Sequence, residues 1–110
     1  MAVQALNKTP VTNRKASRKA AHADAVREFQ DIPNIGPAMS GDFAKLGIRT
    51  PRELARQDPY VLYARLQRVT GVYQDPCVCD TFIAAVRFMQ GGPAVPWWHY
   101  TAERKRHFND

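Results

Sequence analysis

Residues 31–37 read Asp31-Ile32-Pro33-Asn34-Ile35-Gly36-Pro37, a run too rich in proline and glycine for a helix and too short for a strand. It is a tight connector. Upstream, Ala16, Ala20, Ala23, Val26 and Phe29 recur at spacings of three and four with basic residues between them, which predicts an amphipathic helix from Lys15 to near Gln30. Downstream, Pro37 suits the first turn of a new helix, where its missing N–H is no loss. Met39, Phe43 and Leu46 give that helix an inner face until Gly47 stops it. The connector therefore joins two helices.

Three further helix starts follow. Thr50-Pro51-Arg52-Glu53 places a capping hydroxyl, a proline and a carboxylate in the order a first turn needs, and this short helix ends before Asp58. Asp58-Pro59 opens another, with Val61, Leu62, Leu66 and Val69 as its expected buried stripe before Gly71. Asp75-Pro76 repeats the device for a last long helix, Cys77 to Gln90, faced by Val78, Phe82, Ile83, Val86 and Met89 and ended by Gly91-Gly92-Pro93. No run has a period of two, so the fold class is all-α.

An internal repeat organises these elements. A shift of 37 positions lays Val26, Phe29, Ile32 and Ile35 on Tyr63, Leu66, Val69 and Val72, and a shift of 39 lays Phe43 on Phe82. Two helix pairs joined by the short helix at Thr50 are expected to close on one small core, since neither buries its stripe alone. The expected organisation is a basic arm over residues 1–12, five short helices within residues 13–92, and a C-terminal segment, 93–110, that carries Trp97 and Trp98.

At 110 residues the chain builds one domain, which excludes a barrel or a paired nucleotide-binding sheet. No apolar run approaches the ~18 residues of a membrane span. A cytoplasmic, soluble monomer with no membrane partner is the expectation. The net charge of +6 is unevenly placed: residues 1–27 hold six Lys and Arg against Asp24, whereas residues 28–100 hold seven basic and seven acidic groups. Cys77 and Cys79 stand too close in sequence for an unstrained bridge, and on a helix two positions apart they point to different sides. They could serve as metal ligands with His99 or His107, or as a redox pair, but neither role is favoured, and no cofactor is expected. His22, His99 and His107 have no acid or nucleophile at a catalytic spacing, so an enzyme is not expected.

The run Ile32-Pro33-Asn34-Ile35-Gly36-Pro37, followed by Leu46-Gly47-Ile48 and Thr50-Pro51-x-Glu53-Leu54, resembles the helix-hairpin-helix motif. From about Asp31 to Met89, including Asp58-Pro59-x-x-Leu62-Tyr63-x-x-Leu66 and Asp75-Pro76-Cys77-Val78, the chain is similar to the small bacterial family of pathogenicity-locus and mitomycin-resistance proteins. That resemblance implies two helix-hairpin-helix units, with DNA binding as an inference from the wider superfamily, and brings no catalytic activity. In the second connector, Val69 to Gln74, Tyr73 or Gln74 takes the place of Gly36, so that turn is expected to be structural.

Such a hairpin can hold DNA because a glycine lets a phosphate approach the backbone, where amide donors at the next helix's start await an anion. The expected phosphate contacts are Asn34, Gly36, Ala38 and Lys45 in the hairpin unit, with Arg14, Lys15, Arg18 and Lys19 from the basic N-terminal stretch. Binding of this type is weak and indifferent to base sequence. The alternative is a protein-interaction adaptor on the same fold, in which Ile32 and Ile35 only dock the turn and the charged terminus is solvated. Trp97 and Trp98 could stack on bases or anchor a partner, although covering the open end of the core is the stronger expectation, and Arg104-Lys105-Arg106 reads as a solvated end.

Overall fold

Proline sets the start of every major helix before residue 90. In the computed structural model, which describes residues 19–109, helix α1 spans Pro37–Lys45, α2 Pro59–Thr70 and α3 Pro76–Met89, each with its proline at the first position. The side chain of Asp58 accepts from Tyr60 N at 2.9 Å, and that of Asp75 from Cys77 N at 3.0 Å, satisfying first-turn donors that the helix cannot. That bond holds the Asp75 carboxyl below its usual range. Glycine then ends two of the helices in the left-handed region, Gly47 at φ +79 and Gly71 at φ +68. Arg65 reinforces the first of these ends by donating to Leu46 O at 2.8 Å.

The segment Pro51–Arg56 forms where the Thr50–Glu53 capping box predicts a helix, but as 3-10 rather than α. Three more 3-10 turns, Ala23–Ala25, Phe29–Asp31 and Trp97–Tyr100, and a final α-helix, α4 at Thr101–Phe108, complete the described chain. No strand is present among the described residues, in keeping with the all-α expectation. None of the described helices is long and apolar enough to cross a membrane.

Helix α3 is the axis of the core. Cys79 and Phe82 through Val86 are buried on nearly every side of it, the signature of a helix enclosed by neighbours. Against it pack α2, the 51–56 segment, the 97–100 turn and α4. Phe29, Phe43 and Phe82 form an aromatic row with centroids 5.2 and 5.4 Å apart, joining the 29–31 turn, α1 and α3.

Five expectations are corrected. Residues 19–31 form no α-helix: the chain doubles back so that Ala20 N donates to Asp31 O at 2.8 Å, whereas a helix would hold those residues ~16 Å apart. Closing the loop buries Val26 and seats Ala20, Ala23 and Phe29 against the core, which local alanine propensity does not outweigh. In α2 the buried face is Leu62, Tyr63 and Leu66, while Val61 is 52% and Val69 56% exposed. Val61 lies about 100° round the helix from Leu62, and Val69 stands in the last turn, beyond the cover of neighbouring elements. Ile32 and Ile35 are fully buried where their repeat partners Val69 and Val72 are exposed, so the repeat of spacing is not one of packing.

The remaining corrections concern the C-terminus. Trp98 is 62% exposed and Trp97 half-buried, and it is Tyr100 that is buried in the core instead. Arg104 is no part of a solvated end: it is buried, and its Nε donates to Asp80 Oδ1 at 2.9 Å. A carboxylate fully buried on α3 demands a cation, and α4 supplies it.

Candidate nucleic-acid interface

The connector is held from both sides. Ile32 and Ile35 anchor it from below, and Ile35 N donates to Ile32 O at 3.1 Å to close the turn. Asn34 between them adopts φ +76, a conformation asparagine tolerates better than most residues, and its Nδ2 donates to Val95 O at 2.9 Å. Asn34, expected at a phosphate, thus binds the connector to the segment that leads into Trp97.

The next residues open outward. Gly36 caps α1 with extended backbone at φ −105, no side chain caps the helix, and its first bond runs from Ser40 N to Gly36 O at 3.0 Å. The amides of Ala38 and Met39 therefore end the helix without a backbone acceptor among the described residues, and Ala38 is exposed. Pro37 contributes no donor there. A Cβ built on Gly36 meets nothing within 4 Å, so the protein's own packing does not require glycine at this position.

Lys19 is the one basic residue of the expected N-terminal set that falls among the described residues. Its ammonium donates to Gln30 O at 2.6 Å and Ile35 O at 2.7 Å, bridging the loop to the carbonyl that precedes Gly36. Two of its three N–H donors are so used, and its charge sits at the start of α1, where the helix dipole already favours an anion. Arg14, Lys15 and Arg18, with the whole arm at 1–12, lie outside the described residues. Lys45 occupies the other end of α1, about 13 Å from Gly36 by helix rise, paired to Asp42 at 3.7 Å. The fold does not bring it to the connector.

Two acids near the hairpin are committed locally. Asp31 accepts from Arg27 N and Glu28 N at 2.9 and 3.0 Å, and Asp42 faces Lys45. The cysteines differ as their spacing suggests: Cys79 is fully buried with its thiol pushed up to about 12 by burial, while Cys77 is half-buried and raised for the same cause. No group of three His, Cys, Asp or Glu among the described residues is placed to hold a metal.

Sequence reasoning missed a second cluster, at the far end of the core. Arg87 donates to Glu103 at 3.1 and 2.7 Å, and Tyr60 Oη donates to Glu103 Oε2 at 2.8 Å. His107 stacks on Tyr60 with centroids 3.6 Å apart. The bond from Arg87 holds the Glu103 carboxyl below its usual range. Burial pushes the Tyr63 phenol up to about 12 and raises that of Tyr60 as well.

Residues 22–106 match the pathogenicity locus family, Cdd1. The chain belongs to that family. It is also 44% identical over 79 residues to mitomycin resistance protein McrB of Streptomyces lavendulae, a match covering 72% of this chain and 75% of that relative. No solved structure matches it significantly. The pathogenicity locus match takes in the connector, α1 to α3 and most of α4, and it begins beyond Lys19.

Proposed function

We propose that this pathogenicity locus protein is a non-enzymatic, monomeric cytoplasmic module of helix-hairpin-helix type, its first unit entered through the 29–31 3-10 turn in place of an α-helix, which grips DNA weakly through phosphates and without regard to base sequence. What carries the reading is the start of α1: uncapped amides beside a glycine with open space around it, next to an ammonium fixed 2.7 Å from the preceding carbonyl. Such a site holds an oxyanion through backbone donors, which position a duplex but carry no base information. The α2–turn–α3 pair serves as the second, structural unit.

Gly36→Val tests it. The fold has room for the added atoms and φ −105 is open to valine, so the melting temperature should fall only modestly, by the equivalent of ~1 kcal/mol at a cap. DNA affinity, read by anisotropy of a labelled duplex, should drop because the side chain stands where a phosphate must approach. A folded variant with undiminished, salt-dependent affinity removes the hairpin from the mechanism.

The adaptor alternative draws on a different observation. Val69, Val72 and the 74% exposed Tyr73 place apolar surface around the second connector. Under that reading Gly36→Val changes nothing beyond stability, and Tyr73→Ser weakens capture of a protein partner instead.

A further inference from the structure

A cleft of about 600 Å³ lies between the 20–31 loop and the start of the 51–56 segment, with Val26 and Pro51 on its walls and Arg27, Arg49 and Arg52 around it. These arginines come from three separate pieces of chain, the loop, the turn after α1 and the first turn of the 3-10 segment, and all three are exposed. Asp24 alone among the cleft's residues is acidic, so the wall carries +2, three guanidinium groups less one carboxylate. None of the three forms an ion pair within 4 Å among the described residues.

Two carboxylates four residues beyond cleft arginines, Asp31 and Glu53, bond to backbone amides. Asp31 accepts from the backbone N–H of Arg27, and Glu53 accepts from that of Arg49 at 2.6 Å and of Thr50 at 3.4 Å. Each capping carboxylate therefore fixes the backbone of one cleft arginine while its oxygen is spent on amides. Gathering like charges costs Coulomb energy, which the single carboxylate of Asp24 offsets only in part.

We infer that this cleft binds a phosphoryl oxyanion. Planar guanidinium forks match the paired oxygens of a phosphate, and three forks lining one cleft suit a tetrahedral group better than a single carboxylate, which one arginine satisfies. The volume admits a phosphate together with the sugar or second phosphate attached to it. Its source is either a nucleic-acid backbone or a soluble phosphate compound. As a backbone contact the site rests on the nucleic-acid reading above and adds a second grip, built from residues other than those at the start of α1.

The triple variant Arg27→Gln, Arg49→Gln, Arg52→Gln tests the inference in the full chain, since exposed side chains without carboxylate partners leave the fold intact on removal. Inorganic pyrophosphate titrated into wild type should shift the amide resonances of residues 24–27 and 49–52, and the triple variant should lose those shifts. With a labelled duplex over a salt series, the variant should bind about tenfold more weakly at low salt, with a slope of log K against log salt shallower by about 0.9 per phosphate lost. Pyrophosphate shifts abolished by the variant with DNA affinity unchanged assign the site to a soluble phosphate and overturn the backbone source. A triple variant that binds both ligands as wild type does overturns the site altogether. The Gly36→Val protein separates the two grips on DNA: affinity lost there but kept in the triple variant overturns only the cleft's backbone contact, and the reverse overturns only that at Gly36.

Discussion

Asp80 is fully buried on α3, yet both its oxygens are bonded, Oδ1 by Arg104 Nε at 2.9 Å and Oδ2 by the Thr101 hydroxyl at 2.7 Å. A buried charge is tolerable only while its partner is present, so Arg104→Ala should cost roughly 3–5 kcal/mol in denaturant unfolding, a large part of a small domain's total. Replacing both, Asp80→Leu with Arg104→Leu, should cost clearly less, because no charge is then stranded. Equal losses from the single and double variants would mean that packing, not the pair, holds α4. Cys79 makes a second residue-scale case: buried and with its thiol raised to about 12, it should resist alkylation at pH 8 in the native protein, and only Cys77 should react, slowly. Two equally fast thiols by mass spectrometry would show that α3 opens at this end. Asn34 is testable in the same way, since Asn34→Gly keeps the positive φ and loses only the bond to Val95, while Asn34→Ala loses both. Alanine should therefore be the worse substitution by about 1 kcal/mol in unfolding free energy.

Among the elements, α4 depends on groups that titrate. Glu103 accepts from Arg87 and Tyr60 and has its pKa lowered from 4.5, so it favours the folded state when ionised. Its contribution is fully present above pH 4.5 and is lost as pH falls through the lower folded value. Both partners are partly exposed, which screens the pair to about 1 kcal/mol or less. The melting-temperature gap between wild type and Glu103→Gln should thus be a few degrees at pH 7 and close in acid, and a gap constant down to pH 2 would refute the pairing. This helix was the least legible in the sequence. Thr101–Phe108 has no apolar stripe, and it docks through Arg104, Glu103 and the stacked His107, polar contacts that periodicity does not register. Asp80 amid an apolar helix face was its overlooked sign. By contrast α1, α2, α3 and the 51–56 segment were legible because Xaa-Pro caps and glycine stops are local rules that the chain obeys locally. The 20–31 loop misled for the opposite reason: its alanine spacing fits a helix, while the bond from Ala20 to Asp31 and the Lys19 clamp are long-range. Gly36 could be found by motif; the arginine cleft could not, since Arg27 and Arg49 meet only in three dimensions.

For the whole molecule, the proposed DNA binding raises the question of how the basic N-terminus would share it with the folded body. Lys19 belongs to the body, because its ammonium ties Gln30 O to Ile35 O, and cutting it away would disturb the 31–37 connector as well as remove charge. Deletion should therefore stop at Arg18, which removes Lys8, Arg14, Lys15 and Arg18, four basic groups. If those groups touch phosphates, the slope of log K against log salt should become shallower by up to about 0.9 for each contact, while the hairpin and cleft keep a weaker, still salt-dependent affinity. The same deletion in the Gly36→Val background should then weaken binding further, because each change removes phosphate contacts of its own. Under the proposed phosphate grip, base composition should matter little throughout. If the 1–18 deletion alone abolishes all measurable affinity at ~50 mM salt, the fold contributes no grip, DNA binding is a property of the tail, and the body is better understood as a docking surface for another protein.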